Sequence, residues 1–289
     1  MSDTQQSPAA ACGSFTLGGN RPIHRLGFGA MRLTGQGIWG PPNDKNESLA
    51  VLRRAVELGV NFIDTADAYG PNVSEELIAE ALYPYPKGLV IATKGGLERP
   101  GPGVWTPNGR PQHLREALEG SLRRLKLARI DLYQFHRIDP AVPLEESVGE
   151  LARLREEGKI QHIGLSNVNA EELNRARKIV PIVTVQNRYN ATDRASEQLI
   201  DYCERNGIGF IPWAPLGGDT LSSTETLRQI TKKYDATSSQ IVLAWLLRRS
   251  GAMLPIPGTS SLKHLEENVA SATIRLSLED YKALRDTRR

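Results

Sequence analysis

Leu89-Val90-Ile91-Ala92-Thr93-Lys94, an amphipathic pattern over 111–127, and Ile130-Asp131-Leu132-Tyr133-Gln134-Phe135-His136 follow one another in the chain. The two outer runs are short, apolar and β-branched, and each closes on one ionisable side chain. The middle segment repeats its apolar residues at helical spacing. Strands separated by a helix of that length pair in parallel through a helical crossover. The same unit recurs in both directions. Strand runs at 26–31, 60–65, 160–165, 182–187, 208–213 and 252–256 alternate with helical patterns at 47–58, 74–82, 145–157, 170–179, 196–206, 223–234 and 261–270, and an additional apolar helix is read at 238–249. Eight strand–helix units predict an α/β fold of one closed (β/α)₈ (TIM) barrel; six would leave an open doubly wound sheet. No G-x-G-x-x-G follows the first strand and no linker divides the chain, so the barrel is preferred over a doubly wound sheet with an appended helical region.

Before the first unit, Phe15 to His24 carries a Gly18-Gly19-Asn20 turn between two extended runs, an N-terminal β-hairpin. Residues 1–13 read as a flexible tail and 14–289 as a single barrel domain with additional C-terminal helices. The net charge of +3 asks for neither nucleic acid nor an anionic membrane as partner. The densest basic stretch, Arg123 to Arg129, alternates with leucines and reads as the solvated edge of a helix. Two cysteines, Cys12 and Cys203, are too few and too scattered for a disulfide framework or a zinc site, so no metal is expected. The longest apolar run, Ile241 to Leu247, is far shorter than the roughly 18 residues of a membrane span. With no secretory pattern at the N-terminus, the chain reads as cytoplasmic. Nothing in the pattern indicates an oligomeric state.

Barrels of this kind place their chemistry at the C-terminal ends of the strands. Asp64 closes the second strand run, Lys94 the third and His136 the fourth, while Tyr69 lies in the loop after the second. Sequential parallel strands are neighbours, so a carboxylate, an ammonium, a phenol and an imidazole converge at one mouth. Carbonyl reduction needs this set: negative charge grows on the carbonyl oxygen and must be protonated. A lysine ammonium beside a tyrosine lowers the phenol's pKa, and an aspartate holds the lysine charged. A histidine donates a hydrogen bond to the developing oxyanion. The plainer alternative, a structural ion pair with a wall histidine, suits any one of these residues better than all four at three consecutive strand ends.

Gly59-Val60-Asn61-Phe62-Ile63-Asp64-Thr65-Ala66-Asp67-Ala68-Tyr69-Gly70 resembles the signature segment of the aldo-keto reductase family. The resemblance continues through Ala92-Thr93-Lys94, Asp131 to His136, Ile163-Gly164-Leu165-Ser166-Asn167 and Pro255 to Ser261, covering about residues 14–285 in the family's order. It implies a small-molecule carbonyl substrate, a nicotinamide cofactor and a catalytic tetrad of Asp64, Tyr69, Lys94 and His136. By the same resemblance Ser166, Asn167 and Gln186 hold the nicotinamide amide and Trp213 stacks on its ring. Leu216 and Gly217 then lie along the pyrophosphate, and Glu267 and Asn268 near adenine.

The loops after strands seven and eight, Pro215 to Asp219 and Pro257 to Leu262, suit a phosphate by their glycines and the helix start that follows them. There Gly258, Thr259 and Ser260 are cofactor candidates, although a hydroxyl from Thr259, Ser260 or Ser261 that merely caps the helix fits equally. Many relatives place a lysine and an arginine around the 2′-phosphate where this chain has Gly258 and His264. NADPH is the expected cofactor, with NADH use left open. Trp39 and Trp105, in the glycine-rich loops after strands one and three, are candidates to wall a flat substrate. Gly37 to Pro42, Ala81 to Tyr85 and His264 to Asn268 resemble a bacterial branch that includes pyridoxal reductases, so pyridoxal is the leading specific candidate. Two rival readings are a cofactor-binding regulatory subunit with little turnover and a Schiff-base barrel enzyme using Lys94 as nucleophile.

Overall fold

The computed structural model describes residues 7–217 and 224–286. Seven parallel strands run in sequence order around one sheet: β3 (Phe28–Gly29), β4 (Phe62–Asp64), β5 (Val90–Gly95), β8 (Ile130–Phe135), β9 (Ile160–Ser166), β10 (Ile182–Arg188) and β11 (Gly209–Trp213). The helices between and after them are α1 (Lys45–Glu57), α2 (Val73–Leu82), α3 (Pro111–Arg124), α4 (Leu144–Glu156), α5 (Ala170–Arg177), α6 (Glu197–Arg205), α7 (Glu225–Tyr234), α8 (Ser238–Arg249), α9 (Leu262–Ala270) and α10 (Leu278–Asp286). The eighth expected strand, 252–256, makes only one isolated bridge, Met253 to Phe210. Prolines at 255 and 257 remove the donors a longer ladder needs. It nevertheless closes the ring. Leu254 donates its N–H to Phe210 O and Phe210 to Ala252 O, both at 2.8 Å, while Gly27 beside β3 donates to Pro255 O at 3.0 Å.

Strand alternation divides the core into two layers. Phe62, Val90, Ala92, Leu132, Ile211 and Leu254 fill the barrel interior, and Ile63, Ile91, Tyr133 and Phe135 face the helices. The expected hairpin is β1 (Ser14–Leu17) paired antiparallel with β2 (Arg21–His24). It plugs the lower end of the barrel with Leu17 and Ile23, both fully buried in the interior cluster. At the opposite end the loop after β5 carries a second hairpin, β6 (Leu97–Glu98) with β7 (Thr106–Pro107). Trp245 lies in the core as expected, stacked between Tyr189 at 6.0 Å and Tyr281 at 5.9 Å.

Two expectations need correction. Residues 8–13 are not a loose tail. Pro8–Cys12 forms a 3-10 helix whose Ala9 and Cys12 are buried, and Arg25 Nη2 donates to Cys12 O at 2.7 Å. Its small apolar side chains let it lie close against the body, with Cys12 packed among Leu26, Leu247 and Ala272. The basic stretch after 123 is also not simply a solvated helix edge. Helix α3 ends at Arg124, and Lys126 takes φ 53° in the turn that follows. Arg124 Nε turns inward to donate to the buried Glu75 Oε2 at 2.6 Å. No helix among the described residues is long and apolar enough to cross a membrane.

Candidate active site

The strand ends assemble four polar side chains directly above the apolar barrel interior. Asp64 follows the inward Phe62 by two residues, Lys94 follows Ala92 and Gln134 follows Leu132, so all three point along the barrel axis. His136 lies just past β8, where its N–H bonds Gly95 O at 2.9 Å. Tyr69 descends from the loop after β4 and is buried. Lys94 Nζ donates to Asp64 Oδ1 at 2.6 Å, to Thr65 O at 2.8 Å and to Tyr69 OH at 3.2 Å. All three ammonium protons are thereby used. Asp64 Oδ2 accepts from Gln134 Nε2 and Gln186 Nε2, each at 2.9 Å. The His136 ring stands edge-on to Tyr69 with centroids 5.8 Å apart.

Burial alone would discharge Lys94, but Asp64, with Tyr69 behind it, carries the ammonium above its ordinary pKa. A charged lysine with three filled donors is no nucleophile, which argues against Schiff-base chemistry at this position. Burial pushes the Tyr69 phenol up, and that outweighs the opposing pull of Lys94. The expected net lowering is thus reversed: desolvation dominates, and the phenol is fully protonated at neutral pH. His136 is held well below its ordinary pKa by burial first, then by the charges of Lys94, Arg137 and Arg99. Its ring is neutral, so it offers a hydrogen bond but no readily lost proton. Its buried Nδ1 has no hydrogen-bond partner among the described residues.

A cavity of about 590 Å³ opens over this cluster. Of the expected cofactor residues, Ser166, Asn167, Gln186, Trp213, Leu216, Gly217 and Gly258 line it together with Asp64, Tyr69 and His136. Asn167, in left-handed backbone at φ 58°, ties the parts together. Its Nδ2 donates to His136 O at 3.2 Å and to Ser166 Oγ at 2.9 Å, and its Oδ1 accepts from Trp213 Nε1 at 3.1 Å. Thr259, Ser260, His264, Glu267 and Asn268 do not line the cavity; they stand beyond it, in the loop after Gly258 and in α9. There Thr259 Oγ1 accepts from Ser261 N at 3.1 Å and Ser261 caps the helix. Gly218 and Asp219, expected near phosphate, fall outside the described residues.

Trp105 lines the cavity, edge-on to Tyr69 at 6.4 Å and to His136 at 6.5 Å. Trp39 does not. Its loop is drawn toward Gly70, whose carbonyl accepts from Gly40 N at 2.7 Å, and the indole lies over Arg99 instead. Sequence reasoning passed over Gln134 as an Asp64 partner, although alternation puts it on the same face as His136. It also passed over Arg32 and Arg137, which line the cavity. Arg32 belongs to a one-turn 3-10 helix, Ala30–Leu33, and passes beside Gly258. No group of acidic, histidine or cysteine side chains among the described residues could hold a metal.

Comparison with known proteins agrees with this architecture. The family model described as "Aldo/keto reductase family" matches residues 25–289. An uncharacterized oxidoreductase of Schizosaccharomyces pombe is 52% identical over 92% of this chain and 87% of its own length. The pyridoxine 4-dehydrogenase of Escherichia coli is 44% identical over 92% of this chain and 95% of its own. An aldo-keto reductase from Klebsiella pneumoniae, solved in complex with NADPH, superposes with a TM-score of 0.80 at 25% identity, covering 94% of this chain and 93% of that one. A family match over nearly the whole barrel and two relatives above 40% identity leave one conclusion: the chain belongs to the aldo/keto reductase family.

Proposed function

We propose that this oxidoreductase reduces an aldehyde or ketone to an alcohol with NADPH, with Tyr69 as the proton donor, and that pyridoxal, giving pyridoxine, is a substrate. The observation that carries the reading is Lys94 Nζ bridging Asp64 and the Tyr69 hydroxyl beside a neutral His136, at the floor of a cavity large enough for more than a small substrate.

The donor set fits a nicotinamide nucleotide. Ser166, Asn167 and Gln186 supply hydroxyl and amide groups at one end of the cavity, and the Trp213 indole is held there by its bond to Asn167. Gln186 also donates to Asp64, which joins this end to the tetrad. Leu216, Gly217 and Gly258 line the path outward. Beyond it Thr259, Ser260, His264, Glu267 and Asn268 are the residues for the adenosine end. Arg32 beside Gly258 offers a cation for phosphate where the sequence seemed to lack one. When bound, NADPH supplies the hydride. The NADPH complex of the Klebsiella relative supports this cofactor.

The remaining chemistry belongs to this chain. Tyr69 holds its proton until charge develops on the carbonyl oxygen, and the ammonium 3.2 Å away then stabilises the phenolate it becomes. Asp64 keeps that ammonium charged and, through Gln134 and Gln186, keeps itself aligned. His136 donates a hydrogen bond that orients the carbonyl. The 44% identity to a pyridoxine 4-dehydrogenase supports pyridoxal. The test is an aldehyde panel including pyridoxal, run with NADPH and NADH, and pyridoxine with NADP+ in reverse. Consumption of NADPH with pyridoxal is the expected result. Protein that binds NADPH but oxidises none with any aldehyde would be a regulatory subunit, and borohydride-trapped carbonyl on Lys94 would mark a Schiff-base enzyme.

A further inference from the structure

Arg99 is a buried cation without a carboxylate partner among the described residues: it is 9% exposed, and its hydrogen bonds there go to backbone carbonyls. Burying a charge this way is costly unless other groups replace water around it. Here three backbone carbonyls and two indoles do so. Nη1 donates to Ala68 O and Nε to Val104 O, both at 2.9 Å, and Nη2 to Gly37 O at 3.4 Å. These carbonyls belong to the loops after β3, β4 and β5, which frame one side of the active-site mouth. The guanidinium lies over the Trp105 ring at 3.6 Å and the Trp39 ring at 5.4 Å. Only Trp105 of the two lines the cavity, edge-on to Tyr69 and His136. A planar fork with five donors fits three diverging carbonyls and stacks on an indole face at the same time; a lysine ammonium does neither.

We propose that Arg99 is a positioning residue that fixes the Trp105 indole as a rigid wall and thereby sets a preference for flat, aromatic carbonyl substrates over small aliphatic ones. Arg99 itself does not touch substrate. The inference rests on the reading that Trp105 walls the substrate end of the cavity, and it explains why a charge is retained between three loops. Without the guanidinium, the indole loses its partner on one face and three loops lose their common anchor, so a flat substrate meets a wall that must be ordered at each binding event.

The test compares benzaldehyde with propanal under NADPH for wild type, Arg99→Met, Arg99→Lys, Trp105→Ala and the double variant Arg99→Met/Trp105→Ala. Arg99→Met should raise KM for benzaldehyde about tenfold, while KM for propanal stays within about twofold and kcat for both within about threefold. Arg99→Lys should fall between wild type and Arg99→Met and carries the comparison if Arg99→Met does not fold. Tryptophan emission should shift in both Arg99 variants. Trp105→Ala should raise KM for benzaldehyde equally, and the double variant should add nothing, because both act on one wall. If Trp105→Ala leaves KM for benzaldehyde unchanged, the substrate-wall reading falls and the inference with it. If Trp105→Ala raises it and neither Arg99 variant does, the inference alone is overturned. An equal fall in kcat for both aldehydes would put the effect of Arg99 at the Ala68–Tyr69 peptide and overturn it as well.

Discussion

Lys94 keeps its charge in a fully buried position because Asp64 lies 2.6 Å away, and removing the carboxylate reverses that balance. Asp64→Asn and Lys94→Met should each lower turnover by about a hundredfold or more, since both remove the cation that stabilises the Tyr69 phenolate. The double variant should be little worse than either single one, as for groups that act as a unit. Losses that multiply in the double variant would leave the pair a purely structural role. A second carboxyl predicts a different readout. Asp67 is pushed up to about 8 by burial, then by the charge of Glu75, against the opposing pull of Arg124 and Lys94. Between about pH 4 and 8 the folded protein therefore holds a proton that the unfolded chain releases, so this group makes stability fall as pH rises through that window. Asp67→Asn should remove that component: its advantage in Tm over wild type should be larger at pH 8 than at pH 5. An identical pH slope in both proteins would contradict the assignment. Asp64, Lys94 and His136 were legible because alternation and strand ends give them one destination. Arg99 was not, because nothing in a glycine- and proline-rich loop announces where its side chain turns.

Helix α8 carries Ile241 to Leu247, all buried, behind an N-terminal cap at Thr237. Thr237 Oγ1 accepts from Gln240 N at 3.2 Å, and Gln240 Oε1 accepts from Thr237 N at 2.8 Å, a reciprocal capping box. Thr237→Ala should cost about 1 kcal/mol in a denaturant titration, with no change in turnover. A cost near zero would mean that burial of the apolar face alone holds the helix start. Most helices lie within a few residues of their sequence-derived spans, because amphipathic spacing and caps are local signals. The elements that departed did so for reasons that amphipathic spacing does not carry. The 252–256 strand is reduced to a single bridge by its prolines, and α3 ends at Arg124, whose side chain turns inward to Glu75. Residues 8–12 were read as tail because five small side chains show no period, yet they pack.

At the scale of the molecule, the barrel brings groups from β4, β5, β8, β9, β10 and β11 to one mouth, which is why a site scattered from Gly29 to Gly258 acts as one cavity. The order of alternating units made the barrel legible; the course of the loops above it, including which of Trp39 and Trp105 reaches the cavity, depends on contacts between loops that no periodicity encodes. The account's central claim is that this cavity reduces carbonyls with Tyr69 as the acid. The most direct measurement is turnover of an aldehyde by Tyr69→Phe, alongside the Kd of the same variant for NADPH by fluorescence. Because the hydroxyl acts only on the reacting oxygen, turnover should fall by about a hundredfold or more while Kd stays within about threefold of wild type. Turnover above about a tenth of wild type, with cofactor binding intact, would show that another group delivers the proton.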